Sequence, residues 1–256
     1  MQHVAQPMVC DCHVEVMDAA RWQLAAVPGV APPVPLRRVQ RRLAGGRMAH
    51  VTLVQPQAYA GAHGCLLHAL AQLGGRARGV AAVSPWDSPE EVARLHDHGV
   101  RGTRVVCPPD APCGPQLLAH IAVLHRLLPR CWHIEVATSL GCLAALAPAL
   151  ARLDRVFVAT PGVLSAPPPL GAEAQQLRWW LAMGNLYLKL VFAARIPPGA
   201  SAAAALLDFA LDAALDRVLW GSGRLAQARA GWRVPEPVAR ILDINAREFY
   251  GFPRTP

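Results

Sequence analysis

The chain has 256 residues, 53% of them hydrophobic, and a formal net charge of +8. That is enough apolar material for one large core, and the length suits a single β/α barrel over residues 1–256. The positive charge is scattered, as at Arg37, Arg38, Arg41, Arg42, Arg76 and Arg78, with no run of interleaved aromatics, which argues against a nucleic-acid partner and for a field that attracts small anions.

Short β-branched runs recur at 9–14, 49–55, 79–83, 102–106, 133–136, 155–159, 186–191 and 217–220. Helix-like segments lie between them at 64–73, 88–98, 115–128, 140–152, 172–183 and 201–215. The segment 88–98 opens with Ser88 as N-cap and Glu91 three residues on, the spacing of a capping box. In the Ala-rich segment 201–220, Asp208, Asp212 and Asp216 recur every four residues. One charged stripe marks a surface helix and not a membrane span. Eight strands alternating with helices predict a single (β/α)8 TIM barrel. An open doubly wound sheet would show a Gly-rich phosphate turn after its first strand, and none follows residue 14. The Pro-rich pieces at 27–36 and 165–171 become the first and sixth βα loops, at the C-terminal mouth where barrels keep their sites.

The seven cysteines form no Cys-x-x-Cys pair and follow no secretory leader, so reduced thiols and a cytoplasmic location are expected. Of the 25 basic residues one alone is lysine, Lys189.

Alternate residues of a strand share a face. In "VCDCHVEV", Asp11, His13 and Glu15 then point one way, and Cys10 and Cys12 the other, as small buried hydrophobes facing the helices. The fifth strand, "HIEV", places His133 and Glu135 on one face. Odd-numbered strands feed the same interior layers, so two imidazoles and two carboxylates converge, with Lys189 of the seventh strand beside them if its register points inward. Such a group has three possible uses. His13, Glu15 and His133 can hold a divalent metal. A carboxylate can act alone as general acid or base. Or Lys189 can neutralise Glu15 or Glu135 in an ion-pair layer without chemistry.

Eight pieces in order carry a resemblance: "VCDCHVEV", "HVTLVQPQAY", "LGGRARGVAAV", "LHDHGVRGTRVV", "WHIEV", "LYLKL", "DRVLWGSG" and "ILDINAREFYGF". The chain resembles the amidohydrolase-related TIM-barrel family, a fold of the metal-dependent hydrolase type, and within it the branch of 2-pyrone-4,6-dicarboxylate lactonases. Members of that family carry a second histidine where Glu15 stands and an Asp-His pair where Ala159 and Thr160 stand. Their eighth strand carries a water-activating aspartate where Gly223 stands. The resemblance therefore implies that anion binding by Arg104, Tyr59 and Arg195 has outlasted the hydrolytic apparatus, with no tightly held zinc and no other cofactor. Two functions follow as expectations. One is a divergent, metal-independent hydrolase of a small carboxylated lactone or amide, using His13, Glu15, His133, Glu135 and Lys189. The other is an inactive barrel that binds a carboxylate metabolite or a partner protein. A decarboxylase is a more distant third.

Overall fold

The computed structural model describes residues 9–16, 18, 21–22, 34–46, 48–56, 59, 61–107, 113–161, 171–191, 201–222 and 240–253, with backbone alone at 161 and 201–207. Its strands are β1 (Val9–Val14), β2 (Met48–Val54), β3 (Ala77–Ala81), β4 (Val100–Val106), β5 (His133–Thr138), β6 (Phe157–Pro161), β7 (Leu186–Val191) and β8 (Val218–Gly221). They pair in parallel in the order of the sequence. Between them run α1 (Leu36–Ala44), α2 (Gly64–Leu73), α3 (Pro89–Asp97), α4 (Pro115–Leu127), α5 (Leu140–Leu150), α6 (Ala172–Ala182) and α7 (Ser201–Ala214). A π-helical turn, Arg240–Ile244, leads into the closing helix α8 (Asn245–Tyr250). This is the expected (β/α)8 barrel. Ser88 caps α3 by accepting the Glu91 amide at 3.2 Å, as its spacing requires.

Two helices were not anticipated. α1 takes up the arginine-rich stretch, burying Val39 and Leu43 beneath an arginine face, and the apolar spacing 36, 39, 43 was its signal. α8 packs Tyr250, with Phe252 beyond it, against Cys10, Cys12, Val158 and Leu219. Those strand residues come from opposite sides of the sheet, so this second core lies inside the barrel, at its N-terminal end. The larger core, which holds Val14, Val51, Ile134, Phe157 and Val218 together with helix residues, lies between sheet and helices.

Cys10 and Cys12 thus face the interior and not the helices. The reason is a bulge in β1: Asp11 pairs with Val51 but Val14 with Leu53, three steps against two. The extra residue resets the alternation. Cys12 and His13 consequently both reach inward, while Val14 joins the outer core. Asp11 is turned to the seam between β8 and β1, where its Oδ1 accepts the Ser222 amide at 2.9 Å and the His13 amide at 3.1 Å.

The expectation of reduced thiols fails for one pair. Cys113 and Cys142 form a disulfide, with Cα atoms 5.5 Å apart, joining the segment before α4 to the first turn of α5. Cys10, Cys12, Cys65 and Cys131 are free thiols, and of these Cys131 alone is exposed.

Candidate active site at the barrel mouth

The inward residues near the C-terminal ends of β1, β4, β5, β6 and β7 form one buried charged layer. Glu135, on β5, lies level with Arg104 on β4. It accepts hydrogen bonds from Lys189 and, at 2.9 Å, from the Thr160 hydroxyl, while Arg104 Nε stands 3.5 Å away. Neither Lys189 nor Glu135 has any exposed side-chain surface. Lys189 also donates to the Cys12 carbonyl at 3.3 Å. Arg104 reaches across the barrel to Glu15 at 2.9 Å. Arginine and lysine together therefore neutralise both carboxylates, the condition that makes buried charge tolerable.

His13 sits between these carboxylates, its Nε2 3.6 Å from Glu15 and its Nδ1 3.8 Å from Glu135. Burial, with the Lys189 charge beside it, lowers its pKa to about 4, so the ring is neutral near pH 7. For Glu135, burial pushes the carboxyl up, but Lys189, Arg104 and His13 outweigh it and hold the pKa at about 2. Glu15 likewise lies below the ordinary carboxylate range, burial being overcome by His13 and Arg104. Asp11 goes the other way. Burial raises it to about 6 against the hydrogen bonds it accepts at the seam.

Close approach across the seam requires a glycine. A Cβ on Gly221 would lie 2.3 Å from the His13 Cβ and 2.8 Å from its backbone nitrogen. Gly102 serves the same purpose for β5, because its Cβ would strike the His133 ring at 2.3 Å.

His133 does not join the mouth layer. Two residues before Glu135, it lies lower in the barrel, its ring 5.1 Å from Phe249 and 5.6 Å from Tyr250. The shared inward face of His133 and Glu135 is as predicted, but a step of two residues moves a side chain roughly 7 Å along the strand. Tyr59 is buried with its hydroxyl accepting the Asp18 amide at 3.1 Å. That bond ties the segment after β2 to the segment after β1 through a lone pair of the phenol oxygen. Arg195 and Gly223 lie outside the described residues. Sequence reading missed Thr160 as a partner of Glu135 and Asp11 as the seam ligand. The first had only its strand position as a signal, and the second depends on the bulge.

The fold type is that of metal-dependent hydrolases, and the donor set here does not fit a divalent metal. Among the described residues no three His, Cys, Asp or Glu side chains converge as metal ligands. The position a cation would take on Glu135 is filled by the Lys189 ammonium, and Glu15 is held by Arg104.

The barrel covers the full length of a protein of Agrobacterium tumefaciens, 100% of each chain, at a TM-score of 0.77 and 20% identity. A protein of Pseudomonas putida described as a 2-pyrone-4,6-dicarboxylic acid hydrolase matches at 0.74 and 21%, over 98% of this chain and 100% of that one. A protein of Acinetobacter baumannii so described, with citric acid bound, matches at 0.70 and 18%, over 95% and 99%. The fold is that of the amidohydrolase-type barrels. An amidohydrolase of Burkholderia multivorans with bound zinc shares it too, at 0.68 and 16%, over 96% and 100%. The sequence resemblance and the structural likeness therefore point the same way. Neither a protein-family model nor a curated protein matches the chain. Among the described residues no helix is long and apolar enough to cross a membrane.

Proposed function

We propose that this amidohydrolase-like barrel binds a small polycarboxylate at its C-terminal mouth and does not hydrolyse it. One observation carries the reading: each carboxylate of the mouth layer is already paired with a cation, Glu135 with Lys189 and Glu15 with Arg104. A base that activates water needs a proton affinity near the working pH. Glu15 and Glu135 are held below it and His13 is a weak base at about 4. Anion binding has what it needs. Arg104 keeps part of its surface open, with 17% of its side chain exposed. Glu15 is 29% exposed and free to swing aside for a ligand carboxylate that takes over the guanidinium by charge-assisted hydrogen bonds. The citric acid held by the Acinetobacter protein of the same fold supports a polycarboxylate as the class. A thermal-shift titration with citrate, beside an assay for ring opening of 2-pyrone-4,6-dicarboxylate, tests both halves. A ligand at a hundred times its dissociation constant stabilises the fold by about 2.7 kcal/mol.

A second reading keeps chemistry. Glu15 is the one carboxylate of the layer that meets solvent, and its oxygen lies 3.6 Å from His13 Nε2. A ligand that drew Arg104 away would raise the proton affinity of Glu15 and make a carboxylate–imidazole pair for activating water. Loss of a measured activity in Glu15→Gln, with citrate binding retained, would select this reading.

A further inference from the structure

We propose that the N-terminal end of the barrel, opposite the mouth, carries a second binding site, for a small aromatic hydroxy acid. A cleft of about 450 Å³ opens there between the first residues of β4, β5, β6 and β7 and the closing helix α8, a volume within the range of small-ligand sites. Its walls are aromatic. Tyr187 and Phe249 stand 4.5 Å apart, ring centre to ring centre, and Trp132 and Tyr250 complete the lining. A planar ring stacks or meets edge to face on such a surface.

The polar groups fix the ends of the ligand. Arg101 and Arg130 supply two guanidiniums. Arg101 binds the His96 and Val100 carbonyls through Nη1 alone. Arg130 pairs with Asp154, but both side chains are more than four-fifths exposed, and a solvent-exposed pair is readily given up. Glu248 is the one carboxylate on the lining, so the two guanidiniums outnumber it and, once Asp154 is given up, suit a monoanion.

At the inner end lies His133. It is 4% exposed, it lines the cleft, and its Nε2 has no hydrogen-bond partner. Burial keeps the ring neutral, and a ligand hydroxyl, which both donates and accepts, can pair with Nε2 in either tautomer. An unpaired buried polar atom is costly. A ligand that brings an O–H inward while its carboxylate stays with the arginines satisfies it. The site shares no side chain with the mouth layer, so it stands or falls separately from the proposed function.

Cys131, the exposed free thiol, lies on the same lining and gives a direct readout. The native protein is treated with iodoacetamide at increasing 4-hydroxybenzoate, and alkylation of Cys131 is followed by peptide mass spectrometry. We expect saturable protection of several-fold, weaker protection by benzoate, by up to about tenfold in affinity for the lost hydrogen bond, and loss of affinity in Arg130→Ala while citrate binding is unchanged. An alkylation rate unaffected by roughly 10 mM 4-hydroxybenzoate, or equal protection by benzoate, would overturn the proposal.

Discussion

Lys189, the chain's one lysine, donates to Glu135, and neither side chain has any exposed surface. A buried pair of this kind contributes little net stability when intact, because desolvation offsets attraction, yet breaking it strands a charge. Lys189→Met should therefore destabilise the fold by about 3–5 kcal/mol. Lys189→Met combined with Glu135→Gln should cost clearly less than the first change alone. Urea unfolding of the native chain and the two variants checks this, and equal costs for the single and double variants would show that the pair is not the unit.

Gly221→Ala should destabilise by roughly 1–3 kcal/mol, the usual range for overpacking. The added methyl would meet the His13 Cβ and backbone at the seam, and neither is the far end of a flexible chain. The same change should loosen His13 and weaken citrate binding. Chemical denaturation gives the first number and titration the second. A variant as stable as the native chain would mean that the seam is more open than described.

The pH dependence of stability has two opposed parts. His13 and His133 have folded pKa values near 4 and 3, below the ordinary 6.5. The unfolded chain takes up those protons first, so their contribution is fully present above pH 6.5 and is lost as pH falls toward 4 and 3. Asp11, raised from 3.8 to about 6, acts in the other sense. Its contribution is present below 3.8 and is lost as pH rises through 6. Asp11→Asn removes that second part, so its stability relative to the native chain should improve by roughly 2 kcal/mol between pH 4 and 7. Parallel pH profiles for the two proteins would contradict the seam assignment.

The barrel was legible because each strand is a short β-branched run and each long helix has its own apolar period, and both signals are local. Glu135 and Lys189 could be placed on inward faces by the same alternation. The failures have one cause each. The β1 bulge is set by pairing with β2, and no residue in "CDCHV" announces it, so Cys12 was turned outward and Asp11 inward. His133 was assigned to the mouth because a face was read without a height. The Tyr59 hydroxyl accepts the Asp18 amide, a bond between two loops that spacing does not reveal. Cys113 and Cys142 lie 29 residues apart, one before α4 and the other in the first turn of α5, and no local pattern pairs them.

Arg104→Ala should weaken citrate binding by about 1.5–3 kcal/mol, the value of a charge-assisted hydrogen bond. It also leaves Glu15 without its 2.9 Å partner, so its carboxyl should rise toward the ordinary range. Titration of citrate by calorimetry, with circular dichroism to confirm the fold, reads the first effect. Unchanged affinity in a folded variant would remove Arg104 from the site.

Most direct is an assay of the native protein with 2-pyrone-4,6-dicarboxylate, following the loss of the pyrone ring by absorbance while the same preparation is titrated with citrate. A barrel whose mouth carboxylates are neutralised by Lys189 and Arg104 should bind citrate and leave the ring intact over the spontaneous rate. Ring opening above that rate, abolished by Glu15→Gln with citrate binding retained, would contradict it and establish Glu15 as a working base.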